Sequence, residues 1–135
     1  MADKILVIDD EPDICQTVKR WLEGDGYEVS YRNVPQEGLE LAQSGEFPVV
    51  LMDIRMPGED GITLLKKIKK SSPTTLVILM TGFPSDDTVT QALTLGAYDY
   101  LVKPFDLDKL LFLMKRAISF QKFIAAMKDK NGPKK

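Results

Sequence analysis

The sequence predicts an α/β domain built on one doubly wound, five-stranded parallel sheet. Three observations carry that prediction. Five short apolar runs occur, at residues 4–8, 27–31, 49–52, 76–80 and 98–102. Four of them are continuous or nearly so, as strands covered on both faces are. Each run is followed by a stretch with helical spacing, and strict βα alternation requires parallel pairing, right-handed crossovers and helices on both faces.

The elements follow in order. After the first run, Pro12 opens a helix in which Ile14, Val18 and Leu22 recur at fourfold spacing, until Gly24 and Gly26 stop it. The second run is more polar and suits a sheet edge; Pro35 opens the helix after it, Leu39 and Ala42 face inward, and Gly45 ends it. The third helix is striped by Ile62, Leu65 and Ile68 and ends at Ser71-Ser72-Pro73. Ser85 caps the fourth, which carries Val89, Ala92 and Leu93, with Gly96 as its C-terminal cap. Asp106 caps a fifth helix that runs to about residue 129.

A chain of 135 residues with 44% apolar content supports one domain with a full core. A net charge of −2 gives no general electrostatic reason to bind nucleic acid or an anionic membrane. No signal-like segment and no apolar run near the roughly 20 residues of a membrane span is present, so the expected location is the cytoplasm. The single cysteine, Cys15, excludes an intramolecular disulfide and a cysteine metal cluster. It is expected to act as a small hydrophobe beside the core face of the first helix. The chain has no histidine, which argues against zinc.

In open α/β sheets the binding crevice lies beyond the carboxyl ends of the strands. The first strand ends in Asp9-Asp10, the third in Asp53, the fourth in Thr81-Gly82 and the fifth in Lys103-Pro104. Each alone reads as a polar loop, a helix cap or punctuation. Their joint placement on one edge argues for a site. Asp9, Asp10 and Asp53 bring three negative charges together, Lys103 returns one positive charge, and one divalent cation would supply the rest. An all-oxygen donor set of few ligands favours Mg²⁺ over Ca²⁺. Such a site suits phosphoryl transfer, with Asp53 on the central strand as nucleophile. An acyl phosphate there adds negative charge, which must recruit the Thr81 hydroxyl and nearby backbone N–H groups, so the chemistry implies a conformational switch.

These residues are recognisable. Ile-Leu-Val-Ile-Asp-Asp-Glu at 5–11, Leu-Met-Asp-Ile-Arg-Met-Pro-Gly-Glu-Asp-Gly at 51–61, Met-Thr-Gly at 80–82 and Gly-Ala-Tyr-Asp-Tyr-Leu-Val-Lys-Pro-Phe at 96–105 resemble the receiver domain of two-component response regulators. The resemblance implies the flavodoxin-like strand order 2-1-3-4-5. It implies that Asp53 accepts a phosphoryl group from a sensor histidine kinase or phosphotransfer protein. Asp10 would bind Mg²⁺ directly, Asp9 mostly through water, and the Arg55 backbone carbonyl would be a further ligand. Lys103 would bind the phosphoryl group and Thr81 would close on it. Tyr100 matches the switch aromatic that turns inward as Thr81 moves; its other reading is an aromatic strand residue filling space. The Lys103–Pro104 bond matches a cis position, and Met56-Pro57-Gly58 a turn that brings backbone to the site.

Arg55 and Phe83 occupy positions that vary in the family. Bulky Phe83 is expected to restrict the water that hydrolyses the acyl phosphate, unless it is a plain exposed or half-buried aromatic. The receiver is expected to span residues 1–121, and 122–135 to be a helical extension with a basic tail, native or cut short. In the last helix Leu107, Leu111, Met114 and Ile118 could cover the sheet. Leu110, Leu113, Ala117, Phe120, Ile124 and Met127 alternate threes and fours as a heptad seam does. That second series is either a homodimer seam leading to an output domain or one side of a broad amphipathic helix. The face of the fourth and fifth helices is the other candidate dimer surface.

No helix-turn-helix and no phosphate-binding G-x-x-x-x-G-K-[ST] loop is present, although two segments are similar to receivers that precede ATPase transcription activators. The main rival is a haloacid-dehalogenase-type phosphohydrolase, whose D-x-D motif follows the first strand, where this chain has Asp9-Asp10-Glu11. A nucleotide- or flavin-binding module would call for a glycine fingerprint after a strand, which is absent. The expected role is a switch that catalyses only its own phosphotransfer and dephosphorylation.

Overall fold

In the computed structural model, which describes residues 2–84 and 87–130, the apolar runs are strands and the stretches between them helices. In chain order they are β1 (Lys4–Ile8), α1 (Pro12–Gly24), β2 (Glu28–Arg32), α2 (Pro35–Ala42), β3 (Val49–Asp53) and β4 (Arg55–Met56). Then come β5 (Glu59–Asp60), α3 (Gly61–Ser71), β6 (Leu76–Thr81), α4 (Asp87–Thr94), β7 (Asp99–Val102) and α5 (Leu107–Lys130). The expected Ser85 cap of α4 and the tail 131–135 lie outside the described residues.

The main sheet has the order β2-β1-β3-β6-β7, and every pairing in it is parallel. β4 and β5 form a separate antiparallel ladder in the loop after β3. Counted over the five strands of the main sheet, the order is therefore 2-1-3-4-5. The ladder itself was not expected from sequence. It closes through Gly58, whose φ of 74° supplies the left-handed turn.

Side chains alternate across the sheet into two cores. Ile5, Val7, Leu51, Ile78 and Met80 pack on the side of α1 and α5. Leu6, Ile8, Val50, Met52 and Leu79 pack on the side of α2, α3 and α4. Both faces being covered, β3 and β6 are buried along their full length and need no polar alternation. β2, at the edge, buries only Val29 fully.

Helix starts carry the expected chemistry. Pro12 and Pro35 open α1 and α2. The Ile62 N–H donates to Asp60 Oδ1 at 3.0 Å, and the Lys109 N–H donates to Asp106 Oδ1 at 2.9 Å. Two details are corrected. Leu93 of α4 is exposed, and only Val89 and Ala92 of its expected stripe are buried.

In α5 the two expected stripes are not separate faces. Leu110, Leu113 and Ala117 are buried in the sheet core beside Met114 and Ile118, whereas Leu107 is exposed. The sheet takes the first half of the heptad series, because a broad buried face and a seam share positions over two turns. Among the described residues, the large apolar side chains exposed on the helix are instead Leu107, Phe112, Phe120, Phe123 and Met127. Past Ile118 the helix is held by a Tyr98–Phe120 ring stack at 5.5 Å and a Lys122–Asp3 ion pair at 3.4 Å. It runs through residue 121 without a break, so the expected 121/122 boundary falls inside one element. No helix of the described residues is long and apolar enough to cross a membrane.

Candidate functional site

The parallel register brings Asp9, Asp10, Asp53, Thr81 and Lys103 to the carboxyl edge, whereas Tyr100 lies inside β7. Asp9 follows β1, Asp53 and Thr81 end β3 and β6, and Lys103 follows β7. Asp9, Asp53 and Thr81 are buried, and Asp10 is half-buried. The Lys103 ammonium holds the group together. It donates to Asp53 Oδ2 at 2.8 Å, Asp9 Oδ2 at 2.9 Å and Glu11 Oε1 at 3.2 Å. Burial alone would lower the Lys103 pKa, but the hydrogen bonds and charge of Asp53 and Asp9 outweigh it and raise it. The Asp9 carboxyl is pushed up chiefly by burial, with the Glu11 backbone N–H and Lys103 pulling the other way.

The remaining carboxylate oxygens divide clearly. Asp9 Oδ1 accepts from the Glu11 N–H, and Asp53 Oδ1 accepts from the Arg55 N–H, each at 2.9 Å. Asp9, Asp10 and Asp53 each place an oxygen within 4.8 Å of the others. That donor set, all carboxylate oxygen and only partly neutralised by one lysine, fits a hard divalent cation.

Beside Asp53 is a cavity of about 210 Å³ lined by Asp53, Arg55, Thr81, Gly82, Phe83 and Lys103. That volume holds several water molecules at about 30 Å³ each. Thr81 Oγ1 accepts from the Phe83 N–H at 2.9 Å, which leaves its hydroxyl proton free to donate elsewhere. Phe83 is 62% exposed, and the Arg55 guanidinium lies 5.3 Å from its ring centre. Tyr100 is half-buried against the core on the α3 side. The Lys103–Pro104 bond is cis, as the resemblance implied.

Two contributors were missed from sequence. Glu11 is a third carboxylate on Lys103. Asn33 donates to the Asp9 carbonyl at 2.9 Å and to Cys15 Sγ at 3.3 Å, bracing the end of β1 from the loop after β2. Glu11 adjoins Asp9-Asp10 and could have been found by proximity. Asn33 carries no local signal, since only the β1–β2 pairing brings it there.

Residues 5–115 match the family of the response regulator receiver domain. The chain is 43% identical over 115 residues to the transcriptional regulatory protein ZraR of Klebsiella oxytoca, covering 85% of this chain and 26% of that protein. It is also 43% identical over 115 residues to the DNA-binding transcriptional regulator NtrC of Escherichia coli K12, covering 85% and 24%. The chain thus spans about a quarter of the length of these relatives. The crystal structure of a CheY-like response regulator receiver domain protein from Methanospirillum hungatei superimposes with a TM-score of 0.86 at 33% identity. That superposition covers 90% of this chain and 98% of the other.

Proposed function

The chain belongs to the response regulator receiver domain family of two-component systems, and we propose that Asp53 is its phosphoacceptor. The observation that carries this reading is the Lys103 ammonium, 2.8 Å from Asp53 Oδ2 and 2.9 Å from Asp9 Oδ2. A fixed cation beside a carboxylate at the floor of a cavity stabilises charge on an incoming phosphoryl group at no cost in reorganisation. The donor is a phosphohistidine of a sensor kinase or phosphotransfer protein. Its N–P bond breaks as a bond forms from phosphorus to an Asp53 oxygen, and the imidazole leaves with its electron pair.

Asp10, Asp53 and the Arg55 carbonyl would hold Mg²⁺, with Asp9 acting through water. Asp9 suits that indirect role because its two oxygens are already engaged by the Glu11 N–H and Lys103. Asp10 suits the direct one, since no hydrogen bond to its carboxylate is found among the described residues. The ion, when bound, neutralises the phosphoryl oxygens and aligns them for in-line transfer.

The Thr81 hydroxyl, free to donate, closes on the phosphoryl oxygen and draws the β6–α4 loop with it. Tyr100, half-buried on the neighbouring strand, turns inward into the space this opens. The receiver unit extends to about residue 121, with the rest of α5 leading toward an output module or a second copy. The activity is that of a switch, limited to its own phosphorylation and dephosphorylation.

The test is Mg²⁺-dependent labelling of the chain by a small-molecule phosphodonor, with Asp53→Asn alongside. Label on the wild-type protein and none on the variant is the expected result. Label retained by Asp53→Asn removes Asp53 from its role, and steady release of phosphate from many phosphoesters makes the protein a hydrolase.

A further inference from the structure

β1 stops just short of the acidic pair. Its ladder with β3 ends at Ile8 opposite Met52, and its ladder with β2 ends at Ile8 opposite Arg32. The Asp9 N–H adds one last bond to the Arg32 carbonyl at 3.2 Å. The Asp9 carbonyl lies past the sheet, and the donors it finds among the described residues are side chains. Asn33 Nδ2 donates to it at 2.9 Å and the Cys15 thiol at 3.4 Å.

That carbonyl belongs to the peptide unit that carries Asp10. A peptide unit is planar, so holding the Asp9 oxygen also holds the Asp10 nitrogen and Cα. The Asp10 carboxylate itself accepts no hydrogen bond among the described residues, so the plane of its own backbone sets its direction. Of the two donors Asn33 is the stronger, an amide N–H at close range against a weak thiol donor. The same amide nitrogen also donates to Cys15 Sγ at 3.3 Å, which fixes the Asn33 side chain from a second side. Its place opposite Asp9 follows from the β1–β2 register, since it is the residue after Arg32.

We infer that Asn33 is a positioning residue for the metal site. By holding the Asp9–Asp10 peptide it sets the angle of the Asp10 carboxylate, and with it the affinity for Mg²⁺ and the preference for Mg²⁺ over Ca²⁺. The inference rests on Asp10 being a direct ligand of the ion. The Asn33 side chain bonds to no carboxylate of the cluster among the described residues, so its effect passes through the backbone. Mg²⁺ demands near-ideal octahedral geometry, whereas Ca²⁺ accepts a looser and larger ligand shell. A slackened Asp10 therefore costs Mg²⁺ more than Ca²⁺.

The test is calorimetric titration of the folded full chain with Mg²⁺ and with Ca²⁺, below the melting temperature of every variant. Asn33→Ala should weaken Mg²⁺ about tenfold, the lower end for losing a group that orients a metal ligand, and Ca²⁺ by less than about threefold. Asn33→Leu restores bulk without a donor and should behave as Asn33→Ala does. A second readout needs no metal. In NMR spectra of the metal-free protein the amide nitrogen resonance of Asp10 should move in both variants, because a bond to the carbonyl oxygen shifts the resonance of the whole peptide unit.

Equal weakening toward both ions traces the effect to charge or folding and overturns the positioning role. Asn33→Leu binding Mg²⁺ as tightly as wild type, or an unmoved Asp10 resonance, overturns it too. If the wild-type chain takes up no Mg²⁺, the metal reading falls and the positioning with it. Uptake by wild type with the same affinity in Asn33→Ala removes the positioning alone.

Discussion

The Lys103 ammonium stands 2.8 Å from Asp53 Oδ2, across 50 residues of sequence, with 18% and 9% of the two side chains exposed. A pair this sheltered is structural before it is functional. Removing the cation leaves Asp9 and Asp53 facing each other with little solvent to screen them. Lys103→Met should destabilise the metal-free protein by about 2 kcal/mol, below the roughly 3–5 kcal/mol for breaking a fully buried pair because this one is partly exposed. Urea unfolding with and without Mg²⁺ checks it. Unchanged stability in the absence of metal would mean that the pair is worth no more than a surface ion pair.

Asp10 gives the opposite sign. It adds negative charge to a group already in excess, and Lys103 is committed to Asp9, Glu11 and Asp53. Asp10→Asn relieves repulsion across roughly 5 Å and should stabilise the metal-free protein by on the order of 1 kcal/mol. It should also abolish the gain expected of wild type on binding Mg²⁺, which at a hundredfold excess over Kd would be about 2.7 kcal/mol. Thermal melts of both proteins across a Mg²⁺ series separate the two effects. A variant that is less stable than wild type without metal would refute the excess-charge account.

Asp9, Asp10 and Asp53 were legible from sequence because each is the first or second polar residue after an apolar run, and a parallel sheet aligns such ends. Asn33 was not, since its reach to Asp9 depends on β1–β2 register. In α5 the failure had another cause. Leu110, Leu113 and Ala117 fit a seam and a core face equally well, and only packing against the sheet decides between them. The β4–β5 ladder escaped notice because two residues on each side of Pro57-Gly58 are too few for any periodicity.

Cys15 is fully buried, with its thiol 3.4 Å from the Asp9 carbonyl and Asn33 donating to its sulfur. Burial first, and the Asp9 charge second, push its pKa from 9.0 to about 12. The folded pKa is the higher one, so this contribution to stability is fully present below pH 9.0 and is lost as pH rises toward about 12. The native thiol should react with a disulfide reagent at least about a hundredfold more slowly than the unfolded chain, since reaction awaits opening. Cys15→Ala should flatten the alkaline loss of stability. Rapid native-state labelling would show that the α1–β1 contact opens freely.

Gly61 begins α3 under the Ile54 backbone. A methyl group there would lie inside van der Waals contact with the Ile54 carbonyl, an atom fixed by the turn after Asp53. Gly61→Ala should therefore cost about 2–4 kcal/mol despite its better helix propensity. Gly24→Ala, with open space around its added carbon, serves as the control and should lie within about 0.5 kcal/mol of wild type. Denaturant midpoints decide it; equal costs at the two sites would mean that the loop after β3 yields.

Self-association through α5 should depend on salt in an unusual direction. The helix sequence LDKLLFLMKRAISFQKFIAAMKDK carries six lysine or arginine residues against two aspartates. Phe112, Phe120, Phe123 and Met127 are exposed along it. Two copies meeting along that stripe gain apolar burial but oppose like charges, and salt screens the repulsion without weakening the burial. The dimer should then tighten between about 0.05 and 0.5 M salt, where the Debye length falls from beyond 10 Å to a few ångströms. Sizing chromatography of phosphorylated and resting protein across that range reads the effect. Phe123→Glu should abolish association in both states without moving the melting temperature, because its ring lies on the exposed side of the helix. Association that weakens with salt would place the contact on complementary charges elsewhere, and the α4–α5 face would become the surface to test.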